Sequence, residues 1–166
     1  MNNFNDDLKF SYQAGDEEFW EKVYHKAFPN MVNSMPCPGN TISQRMGIDR
    51  IIHLSSGKTL AIDEKKRRKE WDDIALECVA NATTKAPGWI EKDLAIDYMA
   101  YAFIESKRCY LFPWQQLRRA WLLCGDKWKS EYGIKEARNP NYVTLFVPVP
   151  TAKLLSAVAY ASRIDV

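Results

Sequence analysis

Residues 47–65 read GIDRIIHLSSGKTLAIDEK, in which two runs rich in isoleucine and leucine lie on either side of a short polar segment. Each run has the length of a strand, and Gly57 supplies the conformational freedom that a tight turn needs. The pattern predicts an antiparallel β-hairpin with its turn at Ser55–Lys58. This hairpin carries acidic residues near apolar positions, with Asp49 at its start and the Asp63–Glu64 pair late in its second strand.

Carboxylates in a hairpin of this kind need a compensating charge, because burying an unpaired charge costs several kcal/mol. Side chains two residues apart on a strand point to the same face, about 6.5 Å apart, so Asp63 and Lys65 share a face. Asp49, on the antiparallel neighbour, is in a position to face them. Two carboxylates and one ammonium group in a small volume can hold Mg²⁺ or Mn²⁺ and activate a water molecule against a phosphate.

An acid on one strand, a tight turn and then Asp63-Glu64-Lys65 on the next strand resemble the PD-(D/E)xK nuclease superfamily. Residues 44–77 carry the resemblance, and the basic residues after Lys65 are similar to family members that read Asp-x-Lys-x-Arg. The residue before Asp49 is Ile48, where the family motif has proline.

The resemblance implies metal-dependent hydrolysis of the phosphodiester bonds of DNA. Asp49, Asp63 and Lys65 are then the catalytic residues, and one or two Mg²⁺ or Mn²⁺ ions are bound by Asp49, Asp63 and Glu64, the last through its carbonyl. Lys65 would orient the attacking water or stabilise the charge that develops on phosphorus. The chain would be a bacterial, phage or mobile-element accessory protein.

Alternatives stay open within this site. A second register of the motif pairs Glu64 with Lys66 in place of Asp63 with Lys65. Two further residues are candidates for a supporting role, Gln44 before the hairpin and Glu77 as a third carboxylate beside Asp63. In the superfamily a helix before the first motif strand sometimes contributes a glutamate, and here Glu18 or Glu21 could do so, although a solvated helix face is the preferred interpretation.

Five consecutive basic residues follow Glu64. The net charge of the chain is only +2, so the local pattern says more about partners than the total does. Contacts from such side chains to phosphates carry affinity without sequence information and weaken with salt. The residues predicted to bind nucleic acid are Lys66, Arg67, Arg68, Lys69 and Arg50.

The length of 166 residues predicts one domain spanning 1–166. Hydrophobic residues make up 46% and charged residues 27% of the chain, as expected of a globular protein. No apolar run approaches the roughly 18 residues that span a bilayer, and the N-terminus lacks the features of a secretion signal. Four scattered cysteines without a Cys-x-x-Cys pair predict reduced thiols and a cytoplasmic location.

The predicted fold is α/β (α+β), a central mixed sheet with an N-terminal antiparallel meander, flanked by helices and restriction-endonuclease-like. The third strand of that meander is residues 72–79. The other elements predicted from periodicity and turn residues are helix 16–28, loop 29–43, strands 94–104 and 109–112, helix 114–124 closed by Gly125, strand 142–149 with Pro148 at an edge or an ending, and helix 152–161 capped by Thr151.

Two other classes of function stay open. A nucleic-acid-binding protein of the same fold without catalysis would bind DNA in EDTA as well as in Mg²⁺. A protein-interaction module, in which the same charges form salt bridges, would show no salt-dependent affinity for DNA. A homodimer is a further possibility, because nucleases that cut both strands are often dimers.

Overall fold

The computed structural model describes residues 14–37 and 41–166. In chain order the elements are α1 (Ala14–Ala27), β1 (Met31–Pro36), α2 (Thr41–Met46), β2 (Arg50–Leu54), β3 (Thr59–Arg67), β4 (Asp73–Asn81), β5 (Ala86–Pro87), a 3₁₀ turn (Trp89–Glu91), β6 (Tyr98–Phe103), β7 (Arg108–Pro113), α3 (Trp114–Tyr132), β8 (Lys135–Arg138), β9 (Val143–Pro150), α4 (Thr151–Ala157) and β10 (Ser162–Asp165). The protein is therefore of the mixed α and β class, as predicted.

The described chain divides into two compact units, each built from several chain segments. The hairpin unit contains residues 14–37, 41–70, 94–116 and 160–166, and the second unit contains residues 71–93 and 117–159. The single domain expected from the length of the chain remains a prediction.

The hairpin unit is built on a six-stranded sheet in the order β1-β2-β3-β6-β7-β10. Strands β3 and β6 are parallel, and every other neighbouring pair is antiparallel. The predicted hairpin is confirmed: β2 and β3 pair with Arg50 opposite Ile62. Gly57 closes the turn at φ +83°, in the left-handed region that glycine adopts without strain.

Helix α1 covers one face of this sheet with an apolar stripe. Phe19, Trp20, Val23 and Tyr24 recur at helical spacing, and all four are buried in one cluster with strand residues such as Ile52. Acidic residues in the first turn of α1 favour the helix through its dipole. The predicted helix 16–28 is confirmed, with its start two residues earlier.

The predicted meander is corrected. Strand β4 forms where it was expected, but it pairs with β5 and β9 in the other unit, and the second neighbour of β3 is β6. Three consecutive antiparallel strands do exist as β1-β2-β3, since residues 31–36 form a strand inside the segment predicted as a loop. Pro36 ends this edge strand, a position where its missing N–H removes no ladder bond to a further strand.

The second unit contains a four-stranded antiparallel sheet in the order β5-β4-β9-β8. Its central pair buries Ile74 opposite Val149 and Leu76 opposite Val147. The pairing of β9 with β8 ends at Phe146, which lies opposite Lys135. Pro148 is therefore paired with β4 alone, where it lies opposite Ala75.

Two helix ends in the C-terminal half differ from prediction. Helix α3 continues through Gly125 to Tyr132, and Gly133 follows it with φ +75°. Helix α4 ends at Ala157, before the predicted end at residue 161, and residues 162–165 form a further strand, β10, for which no element was predicted. The Thr151 hydroxyl makes no capping hydrogen bond with the described residues.

None of the helices in residues 14–37 and 41–166 combines the length and the apolar character needed to cross a bilayer.

Gly88 provides a test of packing in the second unit. A Cβ at this position would overlap the backbone carbonyl of Glu77. We expect Gly88→Ala to lower the free energy of unfolding by about 1–3 kcal/mol, because a packed backbone must move to admit the methyl group. The measurement is urea denaturation of both proteins. Gly57→Ala is the matched control, since it meets nothing within 4 Å and costs only the backbone strain of a positive φ, about 1 kcal/mol.

Candidate active site

Asp49 is held by backbone hydrogen bonds from both sides. Its N–H donates to the carbonyl of Ile62 (2.9 Å), and its carbonyl accepts from the N–H of Cys37 (2.8 Å). The residue therefore continues the β1-β2-β3 ladder one position before β2 begins. Its carboxylate Oδ2 accepts the backbone N–H of Glu64 at 2.8 Å, which ties the side chain of Asp49 to strand β3.

Successive residues of a strand point to opposite faces, so the charged residues of β3 form two sets, one on each face of the sheet. Ile62 and its partner Arg50 point toward α1, so Asp49, one residue earlier, points to the opposite face. In the same register Asp63 lies opposite Asp49, so Asp63 and Lys65, two residues further along β3, lie on the same face as Asp49. The structure thus brings together Asp49, Asp63 and Lys65, the three residues predicted as catalytic.

Asp63 is the most unusual titratable group of this set. Its residue is 2% exposed, and its Oδ1 accepts a hydrogen bond from Lys65 Nζ. Burial, together with the neighbouring Asp49 carboxylate, raises the pKa of the Asp63 carboxyl to about 7 against the opposing charge of Lys65. The site reaches solvent through Asp49, which is partly exposed, and through the Lys65 side chain, which is one-third exposed.

The opposite face carries a second set of charges. Glu64 Oε1 accepts hydrogen bonds from the Tyr24 hydroxyl (2.8 Å) and from Arg50 Nε (2.6 Å). Lys66 Nζ forms an ion pair with Asp16 Oδ2 at 2.6 Å. Burial raises the pKa of Glu64, and Arg50 opposes that shift. These side chains lie between the sheet and α1.

This arrangement corrects the second motif register. The side chains of Glu64 and Lys66 are on the α1 face, with the sheet between them and the carboxylate of Asp49. The Glu64 carboxylate is bonded to Arg50 and Tyr24, so it is not placed as a metal ligand. In a strand the N–H and C=O of one residue point to the same neighbour. The Glu64 carbonyl therefore points to the side from which Asp49 accepts the Glu64 N–H.

Two of the five residues predicted to bind nucleic acid are corrected as well. Arg50 is 1% exposed, and the Lys66 side chain is 10% exposed in its ion pair with Asp16. Neither cation can reach a phosphate backbone outside the protein. Arg67 shares the face of Asp63 and Lys65, and Arg68 and Lys69 are exposed after the end of β3.

The remaining predicted site residues fall into different places. Gln44 belongs to α2, but its side chain lies outside the described part of the structure. Glu77 lies on β4 in the sheet of the second unit, so the meander that would have placed it beside Asp63 does not form. On α1, Glu18 forms an exposed ion pair with Lys22, and Glu21 lies 3.6 Å from Arg50 Nη1.

A cluster that was not predicted from the sequence surrounds Arg50. Glu17 accepts two hydrogen bonds from the guanidinium, and Ser34 Oγ accepts a third. Burial alone would lower the pKa of Arg50, but the hydrogen bonds to Glu17 and the charge of Glu64 outweigh it and leave the pKa raised. The signal in the sequence is a pair of adjacent charged residues on each strand, Asp49-Arg50 and Asp63-Glu64, since successive strand side chains point to opposite faces.

The donor set of the site suits a hard divalent cation held by few protein ligands. Mg²⁺ usually keeps several waters and binds through one or two carboxylates together with substrate phosphates. Asp49 and Asp63 supply two adjacent carboxylates, and the Glu64 carbonyl adds an oxygen on the same side. Within residues 14–37 and 41–166, no group of three or more histidine, cysteine, aspartate or glutamate side chains is arranged to hold a metal. Carboxylate and carbonyl oxygens are the ligand type that Mg²⁺ and Mn²⁺ prefer, so the donors of this site fit either ion.

Comparison of the chain with protein-family models, with curated proteins and with solved structures gives no match in any of the three searches.

Proposed function

We propose that this protein is a nuclease that hydrolyses phosphodiester bonds of DNA with Mg²⁺ or Mn²⁺, and that its fold is restriction-endonuclease-like. One observation carries the proposal: a buried Asp63 carboxyl lies between the Asp49 carboxylate and the Lys65 amine. Acids with strongly shifted pKa values beside a specific charged partner are concentrated at functional sites.

Each residue has a separate role in this mechanism. Asp49 and Asp63 would hold the metal, with the Glu64 carbonyl as a further oxygen. When bound, the metal supplies an acidified water molecule and positive charge for the phosphate. Lys65 Nζ, on the same face and hydrogen-bonded to Asp63, orients the attacking water or stabilises the negative charge that develops on the phosphate.

The primary experiment is a cleavage assay. Purified protein is incubated at high concentration with single-stranded, duplex and branched DNA in Mg²⁺, in Mn²⁺ and in EDTA. We expect products with either metal and none in EDTA. If every substrate stays intact in both metals, the nuclease proposal fails.

The exposed cations at the end of β3 are expected to contact phosphates. Each phosphate contact contributes about 0.9 to the slope of log K against log salt for duplex DNA, so Arg68→Ala with Lys69→Ala should reduce that slope by up to about 2. Fluorescence anisotropy with labelled DNA, in EDTA and over a range of salt, measures the slope. Lys153→Ala, an exposed lysine of helix α4, is the matched control. An unchanged slope in the double variant would mean that these residues do not touch the backbone.

A second candidate function is nucleic-acid binding without catalysis. It is favoured by the partners that both carboxylates already have within the protein, since Asp63 accepts from Lys65 Nζ and Asp49 Oδ2 accepts from the N–H of Glu64. This protein would bind DNA with equal affinity in EDTA and in Mg²⁺. It would also leave all substrates uncut, so the cleavage assay separates the two functions.

A further inference from the structure

We infer that Arg50 and Glu64 are positioning residues, whose buried ion pair under the β2–β3 hairpin fixes the backbone from which Asp49 and Asp63 project. The inference rests on the proposed function, because it assigns a role to the face of the sheet behind the proposed metal site.

The guanidinium of Arg50 donates hydrogen bonds to three residues on three different elements. Nε donates to Glu64 Oε1 at 2.6 Å, and Nη1 and Nη2 donate to the two oxygens of Glu17 at 2.7 and 2.8 Å. Nη1 also donates to Ser34 Oγ at 2.9 Å, and the guanidinium carbon lies 5.5 Å from the centre of the Tyr24 ring. One side chain therefore connects α1, β1, β2 and β3.

The neighbours of this ion pair in the chain are the proposed metal ligands. Arg50 follows Asp49, and Glu64 follows Asp63, so a bond between the second residues of each pair fixes the spacing of the first residues. Glu64 acts on both sides of the sheet. Its carboxylate accepts from Arg50, and its backbone N–H donates to Asp49 Oδ2. A displacement of Glu64 would therefore move the Asp49 carboxylate directly.

Stability alone is a weak reason to place this ion pair in a core. Replacing a buried ion pair by apolar residues of similar volume is often neutral or stabilising, whereas removing one partner alone is strongly destabilising because it leaves an uncompensated buried charge. Removing a group that holds a metal ligand in its orientation commonly lowers metal affinity or activity by about 10- to 100-fold. The arrangement fits the second role, since the side chains of Arg50 and Glu64 pair on the face of the sheet opposite the carboxylates of Asp49 and Asp63.

The test replaces both partners at once. Arg50→Met with Glu64→Leu removes the ion pair without leaving a lone buried charge, and circular dichroism and urea denaturation establish that the variant is folded. We expect the dissociation constant for Mn²⁺, measured by calorimetry, to rise by about 10- to 100-fold. We also expect the backbone amide of position 64 to exchange its hydrogen faster, because its acceptor on Asp49 is no longer held in place.

A control variant separates positioning from general damage. Arg108→Met with Glu70→Gln removes another arginine–carboxylate pair of the same unit, on β7. This control should leave Mn²⁺ binding and the exchange rate at position 64 unchanged. If the Arg50/Glu64 double variant does not fold, Glu17→Gln is the second variant. The Glu17 side chain is 47% exposed, and its loss keeps Arg50 paired with Glu64, so a smaller weakening of Mn²⁺ binding, about threefold or more, is expected.

The outcomes distinguish this inference from the proposed function. Wild-type Mn²⁺ affinity together with wild-type amide protection in the folded double variant would overturn the positioning role. If the wild-type protein neither binds Mn²⁺ nor cuts DNA, the nuclease proposal fails, and amide exchange at position 64 still decides whether the ion pair holds Asp49. Unchanged exchange in that case overturns the inference as well.

Discussion

Asp63→Asn is expected to lower the rate of DNA cleavage by about a thousandfold or more, since losing a ligand carboxylate removes several kcal/mol of charge stabilisation and each 1.36 kcal/mol is tenfold in rate. The amide keeps the shape of the side chain, so the fold should persist. Single-turnover kinetics in saturating Mg²⁺ measure the effect. The same substitution should weaken Mn²⁺ binding in calorimetry.

Two comparisons sharpen this experiment. Lys65→Ala should also lose cleavage but retain Mn²⁺ binding, because the amine acts on water or phosphate and not as a ligand. Asp93→Asn changes an exposed carboxylate and should cleave like the wild type. Cleavage by Asp63→Asn at the wild-type rate would remove Asp63 from the mechanism.

Asp63→Asn is also expected to make the protein more stable at neutral and alkaline pH without divalent metal. The pKa of Asp63 in the folded protein, about 7, lies above its ordinary value of 3.8. The folded state therefore binds the proton more tightly than the unfolded state, and this contribution is complete below pH 4 and lost as the pH rises through 7. At pH 8 the wild type carries a buried carboxylate that the variant lacks.

The expected gain at pH 8 is roughly 4 kcal/mol, since the pKa rises from 3.8 to about 7 and one pKa unit corresponds to about 1.36 kcal/mol. Urea denaturation in EDTA at pH 4 and pH 8 measures it, and the difference between wild type and variant should nearly vanish at pH 4. A variant that is less stable than the wild type at pH 8 would contradict the assignment of Asp63 as a carboxyl that resists ionisation. A gain would be typical of a residue kept for function at a cost in stability.

The hairpin and its acidic face could be predicted because they depend on local pattern. The turn at Ser55–Lys58 fixes which strands pair, and alternation then places Asp63 with Lys65. The choice between the two registers needed one more fact, the pairing of Arg50 with Ile62, which sets the face of Asp49. The sequence alone does not contain that register, since a shift of one residue would exchange the faces.

The long-range parts of the fold could not be predicted in the same way. Strand β6 joins β3 after an intervening segment of the second unit, and no local pattern marks which strand completes a sheet. Residues 29–43 predict a loop because they include Pro29, Pro36, Pro38 and Gly39, yet residues 31–36 form strand β1. Ser34 accepts a hydrogen bond from Arg50, and Pro36 lies at the end of an edge strand, so both residues fit this strand.

The parallel pairing of β3 with β6 has a consequence for biosynthesis. The strand that carries Asp63 and Lys65 gains its second neighbour only from Tyr98–Phe103, more than thirty residues after Asp63. While the chain leaves the ribosome, Asp63 and Lys65 are synthesised early, but the sheet around them stays incomplete until that later segment has been synthesised. A nascent or truncated product that ends before Tyr98 would leave one edge of β3 without a neighbouring strand, so Asp63 would lack the strand that completes its sheet.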